Sequence, residues 1–272
     1  MTETQTIHAT LSATIKSPPK SLSTITPTPS LTDTPSRPSP SPTSSPVSLP
    51  TSLEVVSTTI PIEALEPSFV LCSPLAAETI PELWEIVSDP YKPPPPGKEE
   101  RHHGVDFSYY RRGERTSIQG ESIQAILPGT VAAVVQDRLP YGNMVILETS
   151  YSYFPLDFAQ AISLTQGGSL YHLYAHMETT PTVSIGEEVA CGQVLGTVGL
   201  TGYNIVNPHL HLETRRGPSG VIFEGMVFYD TSAMPEEMEN YKRWRTGGEF
   251  QHFDPMVLFD RYLQFLKTDD PP

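Results

Sequence analysis

Eight histidines are spread over 272 residues, and most of them fall in three short motifs. His209-Leu210-His211 is the tightest. On a strand, residues i and i+2 face the same side, so both imidazoles can reach one point above a sheet while Leu210 turns into a core. Pro208 cannot donate a ladder hydrogen bond and suits the first position of that strand. Alone, such a pair reads equally as two surface histidines. His102-His103-Gly104-Val105-Asp106 sets a nitrogen donor four residues before an oxygen donor, and Gly104 lets the backbone turn between them. With a distant histidine, His102 and Asp106 make three protein ligands and leave a fourth tetrahedral position for water, as a catalytic zinc site requires. The same stretch also reads as a solvated turn after Glu99, Glu100 and Arg101. The third motif, Tyr171 to His176, places His172, Tyr174 and His176 on one strand face, where a histidine is more often structural than catalytic.

The only cysteines are Cys72 and Cys191. No cysteine-based zinc pattern exists, so a metal would need histidine and carboxylate ligands. The two cysteines can pair in an oxidising compartment or remain free thiols.

The elements that must carry these motifs read as β-structure from residue 101 to about 225. Ile123 to Leu127 ends at Pro128-Gly129, a turn signal, with Thr130 to Val135 as the returning strand. Further strands are expected at Met144 to Glu148, Ser169 to His176, Val194 to Val198 and His209 to Thr214. Short strands with Gly/Pro turns predict an antiparallel all-β domain. Ser68 to Cys72 reads as a short strand, and Pro81 to Val87 as a helical turn opened by its proline. Residues 150–168 read as an inserted loop. Met234-Pro235-Glu236-Glu237-Met238 starts like a helix within a second insertion, 230–250, and Pro255 to Leu266 predicts a closing helix.

Ser, Thr and Pro fill 26 of the 34 positions from 17 to 50. Such a stretch cannot bury enough apolar surface to offset its ordering entropy. It predicts residues 1–52 as a disordered segment that can act as a spacer, 53–97 as a partly ordered extension whose Pro93 to Gly97 forms a hinge, and 98–272 as the main domain. The chain is acidic, with 17 Lys+Arg against 31 Asp+Glu and a formal charge of −14. That argues against a nucleic-acid partner, whose phosphates need clustered Lys and Arg. No run of 18 apolar residues suggests a spanning helix. The first 30 residues lack a basic region followed by an apolar core, so the sequence predicts either a cytoplasmic protein or a recorded start that omits an export segment.

Taken in order, the motifs resemble the lysostaphin-like, or LytM-type, zinc metalloendopeptidases. That family shows His-x-Gly-x-Asp within an HxxxD turn, then Tyr-x-His, then HxH. Here they are His102 to Asp106, Tyr174-Ala175-His176 and His209 to His211. Ala125 to Val131, Tyr141-Gly142-Asn143, Val183 to Gly196, Gly199 to Gly202, Pro208 to Glu213 and Phe253-Asp254-Pro255 resemble its framework. The resemblance covers about 101–225 and 253–264.

The resemblance implies an antiparallel β-sandwich whose groove holds Zn2+ on His102, Asp106 and His211, with His176 and His209 catalytic. His103 stands out of register with Asp106 and is expected to be a neighbour. Glu213, on the same strand face as His211, is a candidate to fix that ring. The implied reaction is hydrolysis of peptide bonds in peptidoglycan cross-links or stem peptides, outside the cytoplasmic membrane. The Ser/Thr/Pro tract would then suit a membrane or wall tether. Both insertions would lie near the groove rim. The alternative reading is a non-catalytic LytM-type module that binds wall or activates another hydrolase; such domains usually lose ligands that this chain keeps. The oligomeric state is not legible.

Overall fold

The structure, a computed structural model, describes residues 69–268. The expectations for the 1–52 segment and for the first part of the 53–97 extension lie outside the described residues. In chain order the strands are β1 (Val87–Asp89), β2 (Val105–Phe107), β3 (Ser122–Gln124), β4 (Gly129–Arg138), β5 (Gly142–Ser150), β6 (Gly168–Met177), β7 (Glu188–Val189), β8 (Val194–Thr197), β9 (Leu210–Pro218) and β10 (Gln251–Phe253). The helices are α1 (Leu156–Ala161), α2 (Pro235–Arg245) and α3 (Pro255–Thr268), with 3-10 turns at Ile80–Glu85 and Tyr151–Tyr153.

The domain is antiparallel β. Its main sheet runs β1-β2-β9-β6-β5-β4-β7, with β10 also paired to β9, and β3 and β8 form a second, two-stranded sheet. Pro128-Gly129 is therefore not a hairpin turn. β3 pairs β8, whereas β4 pairs β5 and β7. The turn chemistry marks a corner where the chain passes from one sheet to the other. Of the expected 68–72 strand, the described residues Phe69 to Cys72 form none; Cys72 N–H instead donates to Ile126 O (2.9 Å), and Cys72 is disulfide-bonded to Cys191.

Two hydrophobic layers sandwich the central strands. Leu170, Tyr174 and Met177 of β6 join Leu210 and Leu212 of β9 in the larger core, together with Leu71, Leu75, Leu83 and Ile86 from the segment before β1. Tyr171, Leu173 and Ala175 face a second cluster with Phe223, Met226, Tyr241, Trp244 and Phe250. Full burial of each such side chain contributes about 1.5–3 kcal/mol. Residues 221–250 thus form the cover over the sheet's second face. Helix α2 forms where the sequence predicts it. Pro235 sits in its first turn, Glu237 accepts from Met234 N–H (2.8 Å), and Lys242, Arg243 and Arg245 complement the dipole at its end.

The 150–168 insertion is not a plain loop. Its 3-10 turn and α1 bury Phe154, Phe158, Ala159, Ile162 and Leu164 in the larger core, and α1 packs on α3. Those apolar residues draw it into the core, away from the groove rim. Among the described residues no helix is long and apolar enough to cross a membrane.

Candidate metal centre

Three neighbouring strands meet at the site. Asp106 of β2 stands opposite His211 of β9, and His211 stands opposite Ala175 of β6. Alternation along β9 sends Leu210 and Leu212 into the larger core and turns His211, Glu213 and Arg215 to the other face. The segment before β2 brings in His102. Gly104 is needed there for space: a Cβ on it would lie 2.4 Å from Leu212 O and 2.9 Å from His211 Cε1.

His102 Nε2, Asp106 Oδ1 and His211 Nδ1 form a triangle with sides of 3.0, 2.8 and 3.1 Å. These three residues are the group of potential metal ligands found among the described residues. The outward nitrogens explain why the triangle suits a cation. His102 Nδ1 lies 3.0 Å from Pro90 O, and a carbonyl can only accept, so Nδ1 carries the proton. His211 Nε2 lies 3.2 Å from Glu213 Oε1. Burial would raise the Glu213 carboxyl, but Arg215 and the bond from His211 outweigh it and hold the group well below the usual carboxylate range. Glu213 is thus an acceptor as well, so a neutral His211 would keep its proton on Nε2 and turn the Nδ1 lone pair to the site. With only the outward nitrogens protonated, two imidazole lone pairs and a carboxylate oxygen would converge on one point; a proton shared with Asp106 takes that place otherwise. Nitrogen and oxygen donors of this kind, with each ring held from behind by an acceptor, match a zinc ligand set.

The electrostatics agree. Burial would push His211 down, yet its bonds to Asp106 and Glu213 lift it to about 9. Burial would raise Asp106, and its bonds from His102 and His211 overcome that and hold it far below the usual range. A place that favours a proton so strongly favours positive charge generally, whether a proton or a metal ion supplies it.

His176 reaches the same groove by breaking the strand's alternation. His172 and Tyr174 lie on the larger-core side, so the three residues do not share a face. His176 has φ +62°, and its ring sits 4.8 Å from that of His209 and 5.6 Å from that of His211. A non-glycine residue in this region is strained, and such strain collects at functional sites. Its Nδ1 donates to Thr201 O (2.9 Å), which leaves Nε2 as the lone-pair nitrogen. Gly202, at φ +109°, makes room: a Cβ there would lie 3.0 Å from His176 Nδ1. Burial pushes His176 down to about 3, so the ring is neutral at ordinary pH. His209 Nδ1 donates to Asn207 O (2.8 Å), and its Nε2 stands 3.6 Å from Asp106 Oδ2.

All five expected site residues therefore line one groove of about 1070 Å3. His103 also borders it, but its ring is buried away from the triangle and its Nδ1 accepts from Arg215 Nη2 (2.9 Å). Tyr141, Tyr241 and Arg245, which sequence reasoning missed, line the groove too. Tyr141 sits in a framework motif, but nothing in sequence spacing ties Tyr241 or Arg245 to the histidines. Of the two insertions, 230–250 reaches the rim and 150–168 does not.

Residues 155–222 match the profile of peptidase family M23, a stretch that includes His176, His209 and His211. No curated protein matches the chain. Among solved structures, a candidate peptidase M23 of Pseudomonas aeruginosa is 19% identical over 71% of this chain and 51% of its own, with a TM-score of 0.36. The catalytic domain of a prophage-encoded M23 protein of Enterococcus faecalis is 24% identical over 51% of this chain and 87% of its own (TM-score 0.35). The catalytic domain of the antimicrobial peptidase lysostaphin from Staphylococcus simulans is 25% identical over 51% and 86% (TM-score 0.35). The chain thus spans about half the length of the Pseudomonas protein.

Proposed function

We propose that this chain, whose residues 155–222 match the model of peptidase family M23, is a zinc-dependent endopeptidase of that family acting on the peptide part of peptidoglycan. The observation that carries the reading is the His102–Asp106–His211 triangle, whose imidazoles each have an acceptor behind the outward nitrogen.

His102 Nε2, Asp106 Oδ1 and His211 Nδ1 would hold the ion, with Pro90 O and Glu213 fixing the two rings. When bound, zinc supplies Lewis acidity, which polarises the scissile carbonyl and eases loss of a proton from water near neutral pH. Either His209 or His176 takes that proton on Nε2, the nitrogen each ring leaves free. A neutral imidazole can accept a proton, and burial keeps His176 neutral until one arrives. Once protonated, Nε2 becomes a charge-assisted donor to the oxygen that gains negative charge, or to the leaving amine. The open groove leaves room for an extended peptide beside these groups.

A peptidoglycan substrate puts the domain outside the cytoplasmic membrane, and the Cys72–Cys191 disulfide suits an oxidising compartment. The Ser/Thr/Pro composition of residues 17–50 suits a tether to membrane or wall, with 98–272 as the peptidase domain. The test is digestion of purified peptidoglycan with and without a zinc chelator. Chelator-sensitive release of fragments with new amino termini supports the enzyme, and their masses identify the bond. Wall binding with bound zinc but no release supports a non-catalytic module instead.

A further inference from the structure

Helix α2 lies outside the stretches that resemble the peptidase family, yet its last turn reaches the back of the triangle. Glu213 has no solvent exposure, and both its oxygens are crowded with donors. Oε1 accepts from Tyr141 OH (2.7 Å) and Arg245 Nη1 (3.0 Å) besides His211 Nε2 (3.2 Å). Oε2 accepts from Arg215 Nε (3.0 Å), Arg215 Nη2 (2.6 Å) and Trp244 Nε1 (2.9 Å). Arg215 is itself held by the carbonyl of Trp244, at 2.6 Å from Nη1. A buried carboxylate is stable only with its lone pairs satisfied, so its orientation is set by whichever donors surround it. Two of those donors come from α2.

Arg245 does more than complete that set. Its Nη2 donates to Glu99 O (3.1 Å), three residues before His102. One guanidinium therefore ties the segment that delivers His102 to the carboxylate that aims His211. The hydroxyl of Tyr241, one turn earlier on α2, donates to the Glu99 carboxylate and secures the same segment.

We propose that α2 is part of the metal centre, with Trp244 and Arg245 acting as positioning residues that aim the His211 ring and set the spacing between His102 and His211. The proposal rests on the zinc reading above. A metal ligand's outer partners fix its tautomer and direction, and their loss typically weakens metal binding by 10–100-fold.

The test uses the full chain, stripped of metal, and measures zinc affinity by competition with a chromophoric chelator at one pH. The visible spectrum of the cobalt-loaded protein reports the ligand geometry. Trp244→Phe keeps the packing and removes the Nε1 donor; Arg245→Met removes both tethers; Lys242→Ala, on the exposed side of α2, is the control. Trp244→Phe and Arg245→Met are expected to weaken zinc by roughly 10–100-fold and alter the cobalt bands, with Arg245→Lys recovering part of the loss. In a Glu213→Gln background Trp244→Phe should have much less effect, since its route to His211 is already cut, whereas Arg245→Met still loses its bond to Glu99 O. Should Arg245→Met fail to fold, Trp244→Phe alone decides. Parent-like affinity and spectra in folded variants overturn the role of α2 and leave the zinc reading standing. An equal loss from Trp244→Phe in the Glu213→Gln background also overturns it, because the effect would then come through the fold. A parent chain that binds no zinc overturns both.

Discussion

Asp106 and His211 are cross-strand partners, opposite each other where β2 pairs β9, with Oδ1 2.8 Å from Nδ1. The sheet itself delivers these two donors, so their separation depends on strand register rather than on a loop. Asp106→Asn keeps the register and the shape but removes the charge. It is expected to keep the fold and to lower zinc affinity at least 10-fold, read by chelator competition. Unchanged affinity would remove Asp106 from the ligand set.

His211→Ala and His176→Ala should part company. Loss of His211 removes a proposed ligand and the link to Glu213, so both zinc and hydrolysis are expected to disappear. His176 contacts no member of the triangle through a hydrogen bond, and His176→Ala is expected to retain one zinc per chain by metal analysis. Its turnover should fall by roughly 10²–10⁴-fold, the usual contribution of a positioned proton acceptor. Full activity in that variant would end its assignment.

His172 makes a separate prediction about acid stability. It is fully buried, and both its ring nitrogens lack a hydrogen-bond partner. Burial pushes it from 6.5 down to about 3. Between those values the unfolded chain carries a proton there and the folded chain does not. Stability therefore falls as pH drops from about 6.5 towards 3, by up to roughly 1.4 kcal/mol per pH unit from this group. His172→Leu, with no polar atom to leave unpaired, is expected to lose less stability between pH 7 and pH 4.5 in urea titrations. Parallel curves for parent and variant would contradict it.

The Cys72–Cys191 bond closes a span of 119 residues and fastens the segment before β1 to the body of the domain. On the chain-entropy model a loop of that size is worth about 4–5 kcal/mol. Cys72→Ser is expected to lower the urea midpoint markedly without altering zinc stoichiometry in whatever protein remains folded. An unchanged midpoint would show that the segment is held by its apolar contacts alone.

How far the site could be read in the sequence follows from which side chains obey local rules. Strand β9 keeps a period of two, so His211, Leu210 and Glu213 fall where alternation puts them. His176 does not, because its positive φ turns the ring out of the alternation, and no spacing rule anticipates that. The family motif named His176 where the strand pattern would have misdirected it. Pro128-Gly129 showed that the chain turns but not that the turn changes sheets, since strand pairing is a long-range property. Cys72 and Cys191 could pair or not from sequence alone, and proximity decided it. Trp244 and Arg245 were invisible as site residues because they meet Glu213 only through tertiary packing.

The most direct test of the account is restoration of hydrolysis by metal. The full chain is stripped with a chelator, dialysed, and titrated with zinc while release of peptide amino groups from purified peptidoglycan is followed. The account predicts no release from the stripped chain, recovery that saturates near one zinc per chain, and no recovery for His211→Ala at any zinc concentration tested. Hydrolysis that persists without metal, or a chain that takes up zinc and releases nothing from several wall types, would contradict it.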